Sequence, residues 1–355
     1  MHPVNITSCF SGQPDSKKCR IYRELWHKAG NYEILTNFPL HLDIELSSLC
    51  NLKCKFCFQN ELLEGPLGLM KFDLYRKIID EGAEKGLCAV KLQVRGESFL
   101  HPELDRCIEY AKQKGILDVQ ITTNGTLLTQ ERIDKLLTAN NLDAIILSVD
   151  SHHSQCGEQR QEGTSSQKIE DTVQNLLTTR ARLGLKRPWV RLRASIPGSN
   201  RDAFNKTKAA LEKRFPLADI IIVGRIHNFR DNEDAFPDLH ENYELNPCSY
   251  LTQRLAVFWD GDVTTCCMDY NNRFKLGNIH DQTVEDIWSS SRLNSFRMIH
   301  LNKNRKEMPI CKHCHACVSV KENSAIAFDD TKRHLDDYSN EMPEKGQPKT
   351  RPRPA

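Results

Sequence analysis

The chain has 355 residues, 39% of them hydrophobic, with 49 basic against 47 acidic side chains and a formal charge of +2. That length can bury one large core or two smaller ones, and the even charge balance argues against nucleic-acid or membrane partners. Met1 to Phe10 has neither a basic start nor an apolar run, and no stretch approaches about 18 consecutive apolar residues, so neither an export signal nor a spanning helix is expected. The fourteen cysteines are therefore read in a cytoplasmic setting, where thiols more often bind metal or react than pair as disulfides.

Residues 1–37 form an N-terminal extension with a helix predicted around Ile21–Ala29; Cys9 and Cys19 have no motif partners there and read as surface thiols. Over residues 38–226 the pattern alternates. Short runs rich in Val, Ile and Leu predict strands at His41–Leu46, Ala89–Val94, Asp118–Thr122, Ala144–Val149, Trp189–Ser195 and Asp219–Val223. Helical patterns separate them at Phe72–Lys85, Pro102–Lys114, Gln130–Thr138, Ser166–Leu183 and Arg201–Arg214. Such alternation argues for an α/β fold with a parallel sheet and right-handed crossovers. Six units are too few for a closed eight-fold barrel. In parallel α/β folds ligands gather at the carboxyl ends of the strands, so the residues after each strand are the candidate site.

After the first strand come Cys50, Cys54 and Cys57, in C-x3-C-x2-C spacing. Three thiolates on one loop can hold three corners of a [4Fe–4S] cube and leave the fourth iron open to a ligand. A zinc site is the alternative, although structural zinc wants four ligands and no fourth Cys or His is close by. After the second strand comes Arg95-Gly96-Glu97-Ser98, after the third Thr122-Thr123-Asn124-Gly125, and after the fourth Leu147-Ser148-Val149-Asp150. His152, His153 and Arg160 follow on a loop where exposure alone also explains them. Arg191 and Arg193 lie two apart on one face of the fifth strand, and Arg225, His227 and Arg230 follow the sixth. Together they suit an anionic substrate, and outward arginines capping helices would explain the same letters.

Residues 227–246 are polar and charged and read as a linker. The region 247–325 carries Cys248, Cys266, Cys267, Cys311, Cys314 and Cys317, with a hairpin predicted over Phe258–Val263 from its Asp-Gly turn and a helix beginning near Val284. Two fully ligated cubes need eight thiolates, so six favour one cluster; a zinc knuckle at Cys311–Cys317 using His313 or His315 is the alternative. Residues 326–355 are polar, end in a Pro-rich run and read as a disordered tail.

The C-x3-C-x2-C loop with Phe56 before its last cysteine resembles the signature of the radical S-adenosylmethionine (radical SAM) enzymes. Gly96-Glu97 matches the middle of that family's Gly-Gly-Glu-Pro, with Arg95 and Ser98 departing from it, and Asn124-Gly125 and Ser148-x-Asp150 match two further family turns. The hairpin, Gly277-Asn278-Ile279, Ile287-Trp288 and Cys311-x2-Cys314 resemble the family's auxiliary-cluster module, called SPASM or, when shortened, twitch. The resemblance implies an open six-unit (β/α) partial TIM barrel followed by a small α+β cluster-binding domain. It implies a [4Fe–4S] cluster on Cys50, Cys54 and Cys57, S-adenosylmethionine bound with the help of Phe56, Gly96, Glu97, Asn124, Ser148 and Arg160, and one auxiliary [4Fe–4S] cluster on Cys248, Cys266, Cys311 and Cys314. In that family the open iron chelates S-adenosylmethionine and the reduced cluster splits it to a 5′-deoxyadenosyl radical, with the electron coming from a donor such as flavodoxin or ferredoxin.

Cys267 and Cys317 are left spare and are candidate hydrogen-atom donors, with buried structural thiols as the plain alternative. About forty residues precede the first strand, fewer than the peptide-recognition domain that peptide-modifying relatives carry, which turns the expectation toward a small-molecule substrate. Oxidation or epimerisation at a sugar or aminocyclitol carbon is expected. The alternatives are a ribosomal-peptide maturase and an electron-transfer iron–sulfur protein, the last of which would have no use for Gly96-Glu97.

Overall fold

A computed structural model describes residues 1–54, 57–59, 63–149, 166–196, 201–226, 247–312 and 314, with the side chains of 166, 201 and 225 outside the description. β1 (His2–Val4) pairs in parallel with β2 (Ile34–Thr36), and a helix at Asp15–Gly30 lies between them in sequence. Then come β3 (His41–Ile44), β4 (Ala89–Lys91), β5 (Asp118–Thr123), β6 (Ala144–Ser148), β7 (Trp189–Ile196) and β8 (Ile220–Arg225). Each pairs in parallel with the next, so the order in space is the order in sequence. The intervening helices are Phe72–Lys85, Leu104–Gln113, Gln130–Ala139, Ser166–Arg182 and Arg201–Arg214. This is the open (β/α) partial barrel.

Alternation along each strand separates the two faces. Leu40, Leu42, Ile44 and Leu46 are fully buried in the main core, as are Ile145 and Leu147 on β6 and Val190 and Leu192 on β7. The intervening His41, Asp43 and Glu45 are equally buried on the inner face, where a charge must be paired to be tolerated. Asp43 is met by His41 Nε2 at 3.1 Å, Lys91 Nζ at 2.9 Å and Arg254 Nη1 at 3.4 Å. Burial opposes its ionisation, but Lys91, Arg254 and His41 hold its carboxyl well below the ordinary carboxylate range. Burial likewise pushes His41 down, so its contact with Asp43 is a hydrogen bond from a neutral ring.

The C-terminal region does not stand apart from this sheet. β9 (Arg254–Val257) pairs in parallel with β3. β10 (Asp262–Thr264) and β11 (Gly277–Asn278) add antiparallel, giving nine strands in one sheet. The β9–β10 connection is the expected hairpin, turned at Gly261 with φ +87°, a conformation open to glycine at little cost.

The N-terminal extension braces that junction. Gln253 Nε2 donates to Trp26 O at 2.8 Å, Thr252 Oγ1 to Ala29 O at 2.7 Å and Tyr32 Oη to Cys248 O at 2.7 Å. Cys19, read as a surface thiol, is buried in the main core instead, because its helix turns that face onto the barrel. The tail 326–355 and the linker 227–246 lie outside the described residues. Among the described residues no helix is long and apolar enough to cross a membrane.

Candidate active site

Cys50, Cys54 and Cys57 lie on the loop leaving β3, all half-buried. The loop is anchored at both ends. Ser48 N donates to Gly68 O at 3.0 Å and Gly68 N to Ser48 Oγ at 2.7 Å, while Gln59 Nε2 donates to Ser48 O at 2.8 Å. Leu52 and Phe58 are buried beside the thiols, and Cys57 N donates to Cys54 O at 2.9 Å. Burial pushes the Cys50 thiol up, against the Leu52 N–H and the Asn124 side chain, which favour the thiolate. It also pushes up Cys57, against the Gln59 N–H. Thiols partly withdrawn from water, with N–H groups turned to their sulfurs, are a donor set that fits an iron–sulfur cube. Among the described residues no three ligating side chains close up around a single ion. Phe56 lies outside the described residues.

Gly96 packs directly beneath this loop. A Cβ there would fall on the carbonyl oxygens of Ser47 and Leu49, so only glycine lets the two backbones meet. Glu97 N donates to Leu49 O at 2.8 Å. The Glu97 side chain, 2% exposed, is itself engaged: Oε1 accepts from Thr123 Oγ1 at 2.7 Å and Phe99 N at 3.1 Å, and Oε2 from Asn124 N at 2.8 Å. Burial pushes its carboxyl up, and those three donors oppose the shift. The residue expected to help bind S-adenosylmethionine thus also builds the Thr123–Asn124 turn at the end of β5. Asn124 Nδ2 then donates to Asn51 Oδ1 at 3.0 Å, and Asn51 Nδ2 to Thr126 Oγ1 at 2.8 Å. The loops after β3, β4 and β5 are stitched together around the cysteines.

Arg95, a departure from the family motif, has a role that the sequence did not signal. Its guanidinium clamps Glu45, lies 3.9 Å from the Phe258 ring and donates to Tyr270 O at 3.0 Å. Tyr270 in turn stacks on Phe58 with centroids 4.5 Å apart, so the cysteine loop and the segment after Cys266 touch directly.

On the inner face Ser148 stands beside Arg193 in the β6–β7 register. Arg191 is half-buried and Arg193 exposed. Arg160, His152, His153, His227 and Arg230 lie outside the described residues, as does the side chain of Arg225.

The second thiol set flanks β9, with Cys248 before it and Cys266, Cys267, Cys311 and Cys314 after it. Burial pushes Cys266 well up, and Cys267, Cys311 and Cys314 add to the shift, which places those thiols in one electrostatic neighbourhood. Cys267, its chain neighbour, also packs against Val94, Ala256 and Phe258. Asp269 ties the turn after them, accepting from Thr264 Oγ1, from Arg273 N at 2.8 Å and from Phe274 N at 2.8 Å. Cys248 N donates to His300 Nδ1 at 3.1 Å. Arg305 Nε donates to Cys311 O at 2.8 Å and Nη2 to Cys314 O. Burial, with Arg305 adding, pushes His300 down to about 4. Neither His300 nor Arg305 carries a motif that would single it out. Cys317, His313 and His315 lie outside the described residues.

Comparison with known proteins gives matching assignments. Residues 44–237 match the model of the radical SAM superfamily, and residues 248–315 that of the SPASM iron–sulfur cluster-binding domain. A tungsten-containing aldehyde ferredoxin oxidoreductase cofactor-modifying protein of Pyrococcus furiosus is 26% identical over 79% of this chain and 89% of its own length. The antilisterial bacteriocin subtilosin biosynthesis protein AlbA of Bacillus subtilis is 26% identical over 75% of this chain, and the match spans only 64% of that longer protein. An S-adenosyl-L-methionine-dependent 2-deoxy-scyllo-inosamine dehydrogenase of Niallia circulans is 21% identical over 77% of this chain and 91% of its own length.

Proposed function

The chain belongs to the radical SAM superfamily, and from that premise we propose that it oxidises or epimerises a carbon of a small polyhydroxylated molecule, a sugar or aminocyclitol. Its cofactors are a [4Fe–4S] cluster that binds S-adenosylmethionine, S-adenosylmethionine itself and auxiliary iron–sulfur. Bound there, the reduced cluster and S-adenosylmethionine supply a 5′-deoxyadenosyl radical for hydrogen abstraction.

The observation that carries the reading is the convergence of the Cys50–Cys57 loop, Gly96-Glu97 and Asn124 at the carboxyl ends of three adjacent strands. Cys50, Cys54 and Cys57 hold the cluster; Gly96 and Glu97 receive the methionyl amino group; Asn124 and Ser148 line the cofactor, with Phe56 and Arg160 completing the set. Cys248, Cys266, Cys311 and Cys314 hold one auxiliary cluster. Cys267, set against the barrel wall, and Cys317 are the candidate hydrogen donors if the outcome is epimerisation. Arg191 and Arg193 suit an anionic group on the substrate, and a flavodoxin or ferredoxin suits the electron supply.

The dehydrogenase relative, matched over nearly its whole length, supports the small-molecule reading. The bacteriocin-biosynthesis relative favours a second one, peptide maturation. Label transfer separates them: reduced protein is incubated with S-adenosylmethionine and carbon-deuterated cyclitols and sugars. Deuterium in 5′-deoxyadenosine is expected from this panel. No transfer from it, with transfer from a deuterated precursor peptide, would replace the first reading by the second.

A further inference from the structure

We propose that the second ring nitrogen of His300 donates a hydrogen bond to a sulfur of the auxiliary cluster and, with Arg305, raises that cluster's reduction potential. The inference rests on the reading of residues 248–314 as the cradle of that cluster.

His300 is 1% exposed, and its Nδ1 accepts the Cys248 N–H at 3.1 Å. Accepting that N–H takes the Nδ1 lone pair, so the ring's proton lies on Nε2. That N–H is buried and has no partner among the described residues. A buried donor without an acceptor is costly and demands an explanation, and this ring is pinned to the backbone N–H of Cys248, one of the four cysteines assigned to the cluster.

Arg305, 3% exposed, wraps the Cys311–Cys314 turn, donating to the carbonyl oxygens of both cysteines, and its charge bears on His300. Two buried side chains thus hold the backbone at three of the four proposed ligands. An N–H aimed at a sulfur and a nearby cation both stabilise the reduced cluster, which is the more negative form. His300 and Arg305 are positioning residues, acting through the ligands and the cluster.

The test uses the full chain with Cys50, Cys54 and Cys57 all replaced by alanine, so that the auxiliary cluster is the only one present. About four irons per chain are expected; an empty protein would contradict the reading of the cradle itself. With iron in place, His300→Phe is expected to lower the midpoint potential in an anaerobic redox titration followed by electron paramagnetic resonance. His300→Gln, whose amide can accept from Cys248 N–H and still donate, is expected to return it toward the parent value. A potential that does not move in His300→Phe would overturn the inference. A second arm leaves position 300 intact: with 15N-labelled histidine, the reduced cluster is expected to show a weak nitrogen coupling that persists after His313→Ala and His315→Ala. Absence of that coupling would overturn it as well.

Discussion

Arg95 meets Glu45 through two parallel bonds, Nε to Oε1 at 2.7 Å and Nη2 to Oε2 at 2.6 Å, with the two side chains 6% and 0% exposed. Its backbone N–H adds a third bond to Oε1 at 3.1 Å, and Trp259 N reaches Oε2 at 3.3 Å. A planar fork makes such a pair, and a lysine cannot. The pair ties the end of β3 to the loop after β4, and through Tyr270 to the segment after Cys266.

Arg95→Ala leaves the Glu45 carboxylate buried and unpaired. The expected cost is about 3–5 kcal/mol in stability, measured by anaerobic urea unfolding. Arg95→Met combined with Glu45→Gln is expected to cost less, since it removes both charges together and keeps an amide oxygen for the backbone N–H groups that Glu45 receives; equal losses in the single and double variants would contradict the role of the pair.

Gly96→Ala is expected to destroy cofactor cleavage although it adds a single methyl. The obstacles are the main-chain oxygens of Ser47 and Leu49, which cannot turn aside as a side chain can, so the cysteine loop itself must shift. Overpacking of this kind costs about 1–3 kcal/mol, and here the strain falls on the loop that carries Cys50, Cys54 and Cys57. Iron content and 5′-deoxyadenosine yield check it; a variant with full iron and undiminished yield would contradict it.

Glu97→Gln replaces one acceptor oxygen by a donor facing either Asn124 N or the pair Thr123 Oγ1 and Phe99 N. Loss of one buried charged hydrogen bond is expected to cost about 1.5–3 kcal/mol, and S-adenosylmethionine affinity should fall with it. Thr123→Val removes a donor from the same carboxylate without replacing any residue assigned to the cofactor. Calorimetric titration of both variants checks this, and unchanged affinity in Thr123→Val would mean that the turn does not support the cofactor.

Stability should fall as the pH drops below about 6.5, the ordinary histidine value. Burial keeps folded His41 neutral, so the unfolded chain binds the extra proton and acid favours unfolding in that window. Asp43, held well below its ordinary value, adds a second loss below about 4, where the unfolded carboxyl protonates and the folded one does not. His41→Gln should lessen the first decline, leaving the share of the buried His300, and should leave the second, as read from urea midpoints between pH 7 and pH 3.

The barrel was legible because each of its strands carries its own apolar run, and two helices, Phe72–Lys85 and Arg201–Arg214, appear with the ends their sequences suggest. Gly96 and Glu97 could be singled out because they follow a strand in a motif. Contacts between distant segments carry no local signal. β9 pairing with β3 is written in no periodicity, since Arg254–Val257 reads as an ordinary short strand wherever it lies. Cys19 looked exposed because a lone cysteine in a charged helix says nothing of what packs over it. Arg95 appeared only as a mismatch to a motif, and His300 and Arg305 as ordinary letters, because their meaning lies in the carbonyls, amides and carboxylates they reach across the fold.

Formation of 5′-deoxyadenosine from S-adenosylmethionine by the reduced, iron-loaded protein tests the central claim most directly. With substrate candidates present, the account expects the product by chromatography from the parent protein and none from the variant lacking Cys50, Cys54 and Cys57, which should still retain its auxiliary iron. Undiminished 5′-deoxyadenosine from that triple variant would contradict the assignment of those three thiols as the seat of the chemistry.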